Sequence, residues 1–501
     1  MKYRGFYMDD EHSLGVAEHL KAKDTRAKRL HGEASHPYRG NYQRDRDRIL
    51  YTTSFRRLIG KTQIFNVGMG EHYRNRLTHT LEVMQIATTI SKHLGLNLEL
   101  TEAIALGHDI GHAPFGHIGE RTLNYFMNNC DILNKYNIEL RDKQKGFKHN
   151  LQALRILLDI EKNSRNYNGV NITTDTLWGI ANHTKKRWKE CEKIDGVHLT
   201  CLMRRNRHDF MCVNIHDNIA LQDVDFYDQY IQKIQNSWTF EAYVVKYADE
   251  IAQRHHDIED GIISGIFDPQ NILGEINKKI RKKYGRIYRE FKNIYNELRN
   301  ILKKEEEENY LLPILARYIV DLYVTNYISS IAPKIKTFIK EHSIEDNDSF
   351  YSIKDKIWKD EDGENGGIDN IMSFGGIFRE FDDTIQDLLK KSIIHSRKAQ
   401  LMDGKGTFII RKLFEAYIST PNQLPDSVIA RLFQEFEKER KIKTTKFLIG
   451  EWRTRLDTRE LLKNNDFLLC LCRNICDYIS SMADRYALKQ YEKLYGSSVL
   501  S

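Results

Sequence analysis

Residues 104–120, IALGHDIGHAPFGHIGE, place three histidines, an aspartate and a glutamate directly behind Ile104, Ala105 and Leu106. Those apolar residues end the segment ELTEAIALGHDI, whose spacing is that of a helix packed into a core. His108 and Asp109 therefore stand at the buried end of that helix. Burying a carboxylate costs several kcal/mol unless a cation or hydrogen-bond donors compensate it, and a bound divalent metal is the economical compensation. Gly107, Gly111, Gly116, Gly119 and Pro114 then stop the helix and let the chain pass close to a ligand.

Outward from this stretch the pattern stays helical. Only seven prolines interrupt 501 residues, and 3.6-period segments such as HTLEVMQIATTISKHLGL (79–96) and RKLFEAYI (411–418) recur. GTFII (406–410) and FMCVNI (210–215) are the only short strand candidates. The fold class is therefore all-α. With 41% hydrophobic and 29% charged residues the chain can bury a sizeable core. No apolar run approaches the ~20 residues of a membrane span, and MKYRGFYMDDEHSL lacks a signal-peptide core, so a cytoplasmic location is expected with no membrane partner. Seven cysteines, an odd number, argue against a disulfide framework. A net charge of +7 suits a polyanionic ligand without establishing a nucleic-acid binder.

Four regions follow. Residues 1–43 are polar and read as an N-terminal arm. Residues 44–265 form a core holding nearly all the metal-competent side chains, with an insert at about 187–225. Its three cysteines and three histidines between 191 and 216 have irregular gaps, which favour a loop or hairpin over a zinc site. Residues 266–400 form a helical insertion. It contains one charged, solvated helix at 277–308 and an exposed acidic, Gly-rich loop at 359–370. Residues 401–501 are again helical, with Cys470, Cys472 and Cys476 on an apolar, packed face.

One helix cannot enclose an ion, so other segments must contribute. In NRLTHTLEVMQIATTI, His79 lies in the first turns of a helix whose Leu77, Val83, Ile86 and Ile90 supply a buried surface. In TFEAYVVKYADEIAQRHHDIEDGI, Asp249, Gln253, His256 and Asp260 recur along a polar stripe beside an apolar one, like the wall of a cleft. His79, His108, Asp109 and Asp249 make a mixed nitrogen and oxygen set suited to Mn²⁺, Mg²⁺, Co²⁺, Fe²⁺ or Zn²⁺. A His and a carboxylate three apart, His117 and Glu120, can hydrogen-bond if the turn is helical. His93, His183, His255 and His256 read as satisfied core histidines, His183 being the nearest to a pocket role. Arg57 and Lys61 stay open between phosphate ligands and partners of Asp45 and Asp47.

NRLTH, GHDIGHAPFGHIGE and YADEIAQRHHDIEDG together resemble the H…HD…D pattern of the HD-domain phosphohydrolases, specifically the dGTPase family of deoxynucleoside triphosphate triphosphohydrolases. RDRDRILYTTSFRRLIGKTQIF, GFKHNLQALRIL and DYISSMADRYA are similar to further signatures of that family. The resemblance implies an HD-domain helical core elaborated by additional C-terminal helices. It implies His79, His108, Asp109 and Asp249 as metal ligands, and His117, held by Glu120, as the proton carrier. Arg76 and His112 would meet phosphate, Gln63 the sugar 3′-hydroxyl, and His149 and Asn150 would line the nucleotide pocket. The implied reaction is attack of water on the α-phosphorus of a dNTP, dGTP foremost, releasing deoxynucleoside and tripolyphosphate. A homo-oligomer, hexamer or tetramer, a regulatory nucleotide and single-stranded DNA are the partners it suggests. The competing readings are another HD-domain activity, a 5′-nucleotidase or phosphodiesterase, and a nucleic-acid-binding regulatory protein.

One position departs from the pattern. Family members carry a tyrosine four residues after the last metal-binding aspartate, packed on the deoxyribose; here it is Gln253, while Asp257 is retained. An amide can hydrogen-bond a 2′-hydroxyl instead of excluding it, so relaxed sugar selectivity is expected.

Overall fold

Asn75 and Asn97 start the two helices that bring the motif together. Each side chain accepts from the backbone N–H three residues on, Thr78 and Leu100, both at 3.0 Å, which satisfies donors the first turn leaves open. The computed structural model describes residues 14–496, apart from 64–73, 129–132, 134–135, 137, 139, 141–143, 185–187, 191–210, 214–225, 281–283, 304–309, 362–366, 395, 440–448 and 458–459.

Ahead of the motif come α1 (Asn41–Tyr51) and the short α2 (Thr53–Arg57). The motif lies across α3 (Arg76–Leu94), α4 (Leu98–Gly107) and α5 (His117–Phe126). After it follow α6 (His149–Arg155), α7 (Thr174–Asn182), α8 (Asp228–Ile231) and the long α9 (Phe240–Ile263). The insertion supplies α10 (Pro269–Ile280), α11 (Gly285–Ile301), α12 (Leu311–Glu341), α13 (Asn347–Glu361), α14 (Gly367–Met372) and α15 (Gly376–Ile394). The C-terminal region is α16 (Arg397–Ser419), α17 (Asp426–Glu439), α18 (Ile449–Asp457), α19 (Asn465–Ser480) and α20 (Asp484–Tyr495). Among the described residues the fold is all-α but for a parallel pair of three-residue strands, β1 (Trp188–Glu190) and β2 (Met211–Val213).

Two apolar cores form. Val83, Ile86, Ile104, Ile180, Val244 and Ile251 belong to the first, which also takes in the insertion helices. Leu123, Phe126, Leu413, Phe414, Leu432 and Ile475 belong to the second, between α5 and the C-terminal helices. The 104–120 stretch passes from one to the other: Leu106 and Ile110 pack in the first, Ala113 in the second. The chain just after α19 fastens the crossing. Asp484 accepts from Phe115 N at 2.8 Å, from Thr62 N at 3.1 Å and from the Thr62 hydroxyl. The Lys61 ammonium donates to the carbonyls of His112 and Ser480. These bonds hold Phe115 at φ 64° and Gly116 at φ 67°, the left-handed conformation that turns α5 toward the cleft.

Several sequence expectations change. GTFII lies inside α16, where Ile409 and Ile410 join Leu413 and Phe414 in a buried helical face; helical spacing over 23 residues overrides five residues of strand propensity. Met211–Val213 of FMCVNI does pair, with Trp188–Glu190. The rest of the 187–225 insert lies outside the described residues, and with it five of the six cysteines and histidines between 191 and 216. The charged segment 277–308 is divided between α10 and α11, with Gly285 at φ 50°, and Ile287, Phe291, Ile294 and Leu298 are buried. In the stretch expected as an exposed loop, 359–361 and 367–370 are helical. Asp369 is buried against Lys246 and Tyr247, and 362–366 lie outside the described residues. Residues 14–40 dock on the core: Ala17, Leu20 and Ala22 are buried, and Arg29 pairs with buried Asp45 at 2.7 Å.

Gly111 lies against the start of α6, where a Cβ would come 2.0 Å from His149 O and 2.6 Å from Ala153 N. Neither is a side chain that can swing aside. Gly111→Ala should cost at least ~1–3 kcal/mol and lower the calorimetric Tm. Gly404→Ala, in open space within α16, should gain about 1 kcal/mol. An unchanged Tm for Gly111→Ala would contradict this packing.

Candidate active site

Residue 79 sits in the first turn of α3, 108 and 109 follow α4 directly, and 249 lies in the middle of α9. Packing of these three helices brings the four side chains together. His79 Nε2 is 3.0 Å from Asp249 Oδ1 and 3.8 Å from Asp109 Oδ2. His108 Nδ1 donates to Ala105 O at 2.6 Å, which fixes its proton. Its Nε2 is left buried without a hydrogen-bond partner, a lone pair 3.5 Å from Asp109 Oδ1 and 3.9 Å from Asp249 Oδ1. A lone pair facing two carboxylates, with His79 beside them, fits a divalent cation held by two nitrogens and two oxygens. His79, His108 and Asp109 bring donor atoms within 4.8 Å of one another.

Burial would raise the Asp109 pKa, but Arg76, His108 and His112 reverse this and hold it well below the carboxylate range. The same opposition of burial by His79 and His108 holds Asp249 down. Arg76 Nη1 donates to Asp109 Oδ2 at 2.7 Å, and its Nε and Nη2 are buried without partners. The guanidinium thus compensates one anion and has N–H groups left for another. His112 Nε2 lies 3.0 Å from Asp109 Oδ1, and burial with Arg76 and His149 nearby holds its pKa well below the usual imidazole value.

Glu120 faces inward from α5 and is held by the Lys148 ammonium at 2.7 Å and by His149 Nδ1. Its hydrogen bonds go to these two, and its influence on His117 is through space. The reason is register: His117 opens α5 toward solvent while Glu120 is on the buried face. His149 Nε2 is 3.1 Å from His183 Nε2, and His183 Nδ1 donates to Ile180 O at 2.7 Å. The His149 ring also stacks on His112, centroids 3.7 Å apart. Partial loss of water in the cleft and the Arg76 charge lower the His117 pKa to about 4, against the pull of Glu120.

A cleft of about 500 Å³ opens over these groups, a volume in the range of small-molecule sites. One wall is His117, Lys148, His149, His183 and, from α9, Asp249 and Gln253. The other comes from α14 and α15 and includes Asp369, Arg379, Asp383 and Lys390. Arg254 ties the walls by a two-bond contact with Asp382, at 2.7 and 3.1 Å.

The expected residues are distributed unevenly. His117, His149 and Gln253 line the cleft, whereas Arg76 and His112 are buried beside Asp109, outside that lining. Gln63 is buried with its amide oxygen unpartnered, its backbone carbonyl facing Gly116. Asn150 donates to the carbonyls of Ala181 and Thr184, and Asp257 is not among the lining residues. Asp45 takes Arg29, and Asp47 takes Arg39. Lys61 therefore serves neither acid, and Arg57 stays on the surface. His183 and His256, read as core histidines, both reach the site: His256 Nδ1 lies 3.2 Å from His79 Nδ1. The polar stripe along 249–260 was the signal for His256. Lys148, Lys246 and Arg254, missed altogether, left no signal beyond a basic residue on an amphipathic segment.

A model of the HD domain matches residues 76–253, and one of the phosphohydrolase-associated domain matches 427–493. A deoxyguanosinetriphosphate triphosphohydrolase-like protein of Pelagibacter ubique (strain HTCC1062) is 32% identical over 460 residues, covering 92% of this chain and 95% of that one. Similarly named proteins of Leptospira interrogans and Rickettsia rickettsii (strain Iowa) are 30% and 29% identical, over 93% and 94% of this chain and 92% and 96% of theirs. Among the described residues no helix is long and apolar enough to cross a membrane.

Glu250, next to Asp249 on the cleft wall, is pushed up to about 7 by burial, against Arg254 and Lys246. Between its ordinary value of ~4.3 and 7, the folded chain holds a proton that the unfolded chain has lost. Stability is therefore lost as pH rises through that window. Glu250→Gln should raise the Tm of the metal-free protein more at pH 8 than at pH 5. Equal shifts at both values would contradict this assignment.

Proposed function

The chain belongs to the deoxyguanosinetriphosphate triphosphohydrolase-like proteins of the HD-domain phosphohydrolases, and from that footing we propose that it cleaves deoxynucleoside triphosphates, dGTP foremost, into deoxynucleoside and tripolyphosphate. The broader statement, a metal-dependent nucleotide phosphohydrolase, follows from the HD domain and the His/Asp cluster. The observation that carries the finer reading is Arg76, which spends one N–H on Asp109 and keeps two buried groups for phosphate beside the metal ligands.

His79, His108, Asp109 and Asp249 would hold a divalent ion, which when bound would supply positive charge for the phosphoryl oxygens and lower the pKa of the attacking water. Arg76, beside Asp109, orients the α-phosphoryl group. Lys148, on the cleft wall, extends positive charge along the phosphate chain, with His149 beside it and Glu120 keeping both in place. His117, exposed to the cleft, protonates the departing 5′-oxygen. With its pKa at about 4 in the free site it is neutral at pH 7. A triphosphate beside it raises that value, so the substrate charges its own acid. Gln253, one turn from Asp249 on the same wall, offers an amide to a 2′-hydroxyl and widens sugar acceptance to GTP.

The test is turnover of each dNTP and NTP with Mn²⁺ or Mg²⁺, singly and in pairs, with the products identified. Tripolyphosphate and deoxyguanosine from dGTP are expected, with weaker turnover of GTP and none by Asp109→Ala. Orthophosphate as the product, or full activity of Asp109→Ala, would overturn the reaction. Complete rejection of GTP would overturn the role given to Gln253.

A further inference from the structure

Behind His79, away from the cleft, lies a second group of metal-competent side chains: Glu82, His255 and His256 bring donor atoms within 4.8 Å of one another. Proton accounting decides what they do. For His79 to offer Nε2 to a cation, its ring proton must sit on Nδ1. That nitrogen is 3.2 Å from His256 Nδ1, which must then accept. The His256 proton is thereby placed on Nε2, where it meets the Glu82 carboxylate. The other Glu82 oxygen accepts from Arg74 Nη2 at 3.1 Å. Each bond requires the next, and the chain ends in a fixed cation.

We propose that Glu82 and His256 are positioning residues for the metal site: they hold His79 in the tautomer and orientation that present Nε2 to the metal. The same accounting denies this second group a metal of its own. An ion on His256 Nε2 would send the His256 proton to Nδ1, and from there His79 would have to protonate Nε2. Arg74, 2.9 Å from Glu259 as well as bonded to Glu82, already occupies the anionic corner. His255 stands aside: its Nε2 is 3.5 Å from Glu259 Oε2 and 4.0 Å from Glu82, and no bond links it to His79. The assignment rests on the metal reading of the site and not on which nucleotide is cleaved.

The experiment is calorimetric titration of the full-length, metal-free chain with Mn²⁺, alongside its Tm without metal. Outer partners of this kind are worth ~10–100-fold in metal affinity. His256→Ala should weaken binding by ~10–100-fold. His256→Asn, whose amide oxygen can stand where Nδ1 accepts, should restore it to within ~3-fold, with both variants melting alike without metal. Glu82, with its side chain 35% exposed, can be truncated without opening the core; Glu82→Ala should weaken binding in the same direction. His255→Ala should leave affinity and a stoichiometry of one ion unchanged. Wild-type affinity in His256→Ala and Glu82→Ala would overturn the proposal, as would a second ion lost in His255→Ala. If the wild-type chain binds no Mn²⁺, the metal reading itself has failed.

Discussion

Asp109 must keep a negative charge while only 3% exposed, and the surroundings that permit this also form the site. A carboxylate so placed stays ionised only where cations and donors outweigh the loss of water. Arg76, His79, His108 and His112 all reach it, from 2.7 to 3.8 Å. Arg76 and His79 share a face of α3 because they are three residues apart, and the cap at Asn75 determines where that face begins. Gly107 and Gly111 let α7 and α6 approach closely enough to close the cage: a Cβ at Gly107 would meet Ile180 at 2.4 Å. The constraint runs from glycine spacing to helix packing to the charge of one side chain.

The floor and the two walls of the site come from different parts of the chain and have different physical characters. The floor is cross-braced, because the 104–120 stretch passes between two cores and is pinned there by Asp484 and Lys61 through Thr62, Phe115 and His112. A C-terminal segment more than 360 residues away in sequence thus shapes the loop that presents His117, which ties the phosphohydrolase-associated region to the candidate site. The wall from α14 and α15 lies between the two regions matched by family models, and it is joined to α9 by the Arg254–Asp382 and Lys246–Asp369 pairs.

What was legible in the sequence was whatever a helix writes as a period. The all-α fold, the burial of His79 and the facing stripe of Asp249 and Gln253 all follow from spacing within one segment, and the need to compensate Asp109 pointed to His79, His108 and Asp249 as the side chains to look for around it. Pairings between distant segments were not legible. Glu120 turns to His149, 29 residues on, and not to His117, three residues back. His256 finds His79 across 177 residues, and Lys61 chooses backbone carbonyls over either nearby acid. The strand expected at 406–410 failed for a related reason: GTFII carries β propensity locally, while the apolar face it joins is visible only over the whole of α16.

In the proposed reaction water meets the α-phosphorus over the candidate metal site, with the 5′-oxygen leaving toward His117. Hydrolysis of dGTP in ¹⁸O-water with Mn²⁺, followed by mass spectrometry of both products, reads that step directly. The label should appear in tripolyphosphate, with deoxyguanosine unlabelled. Label in orthophosphate would place the attack at the γ-phosphorus, and label in deoxyguanosine would place it at carbon; either contradicts the account.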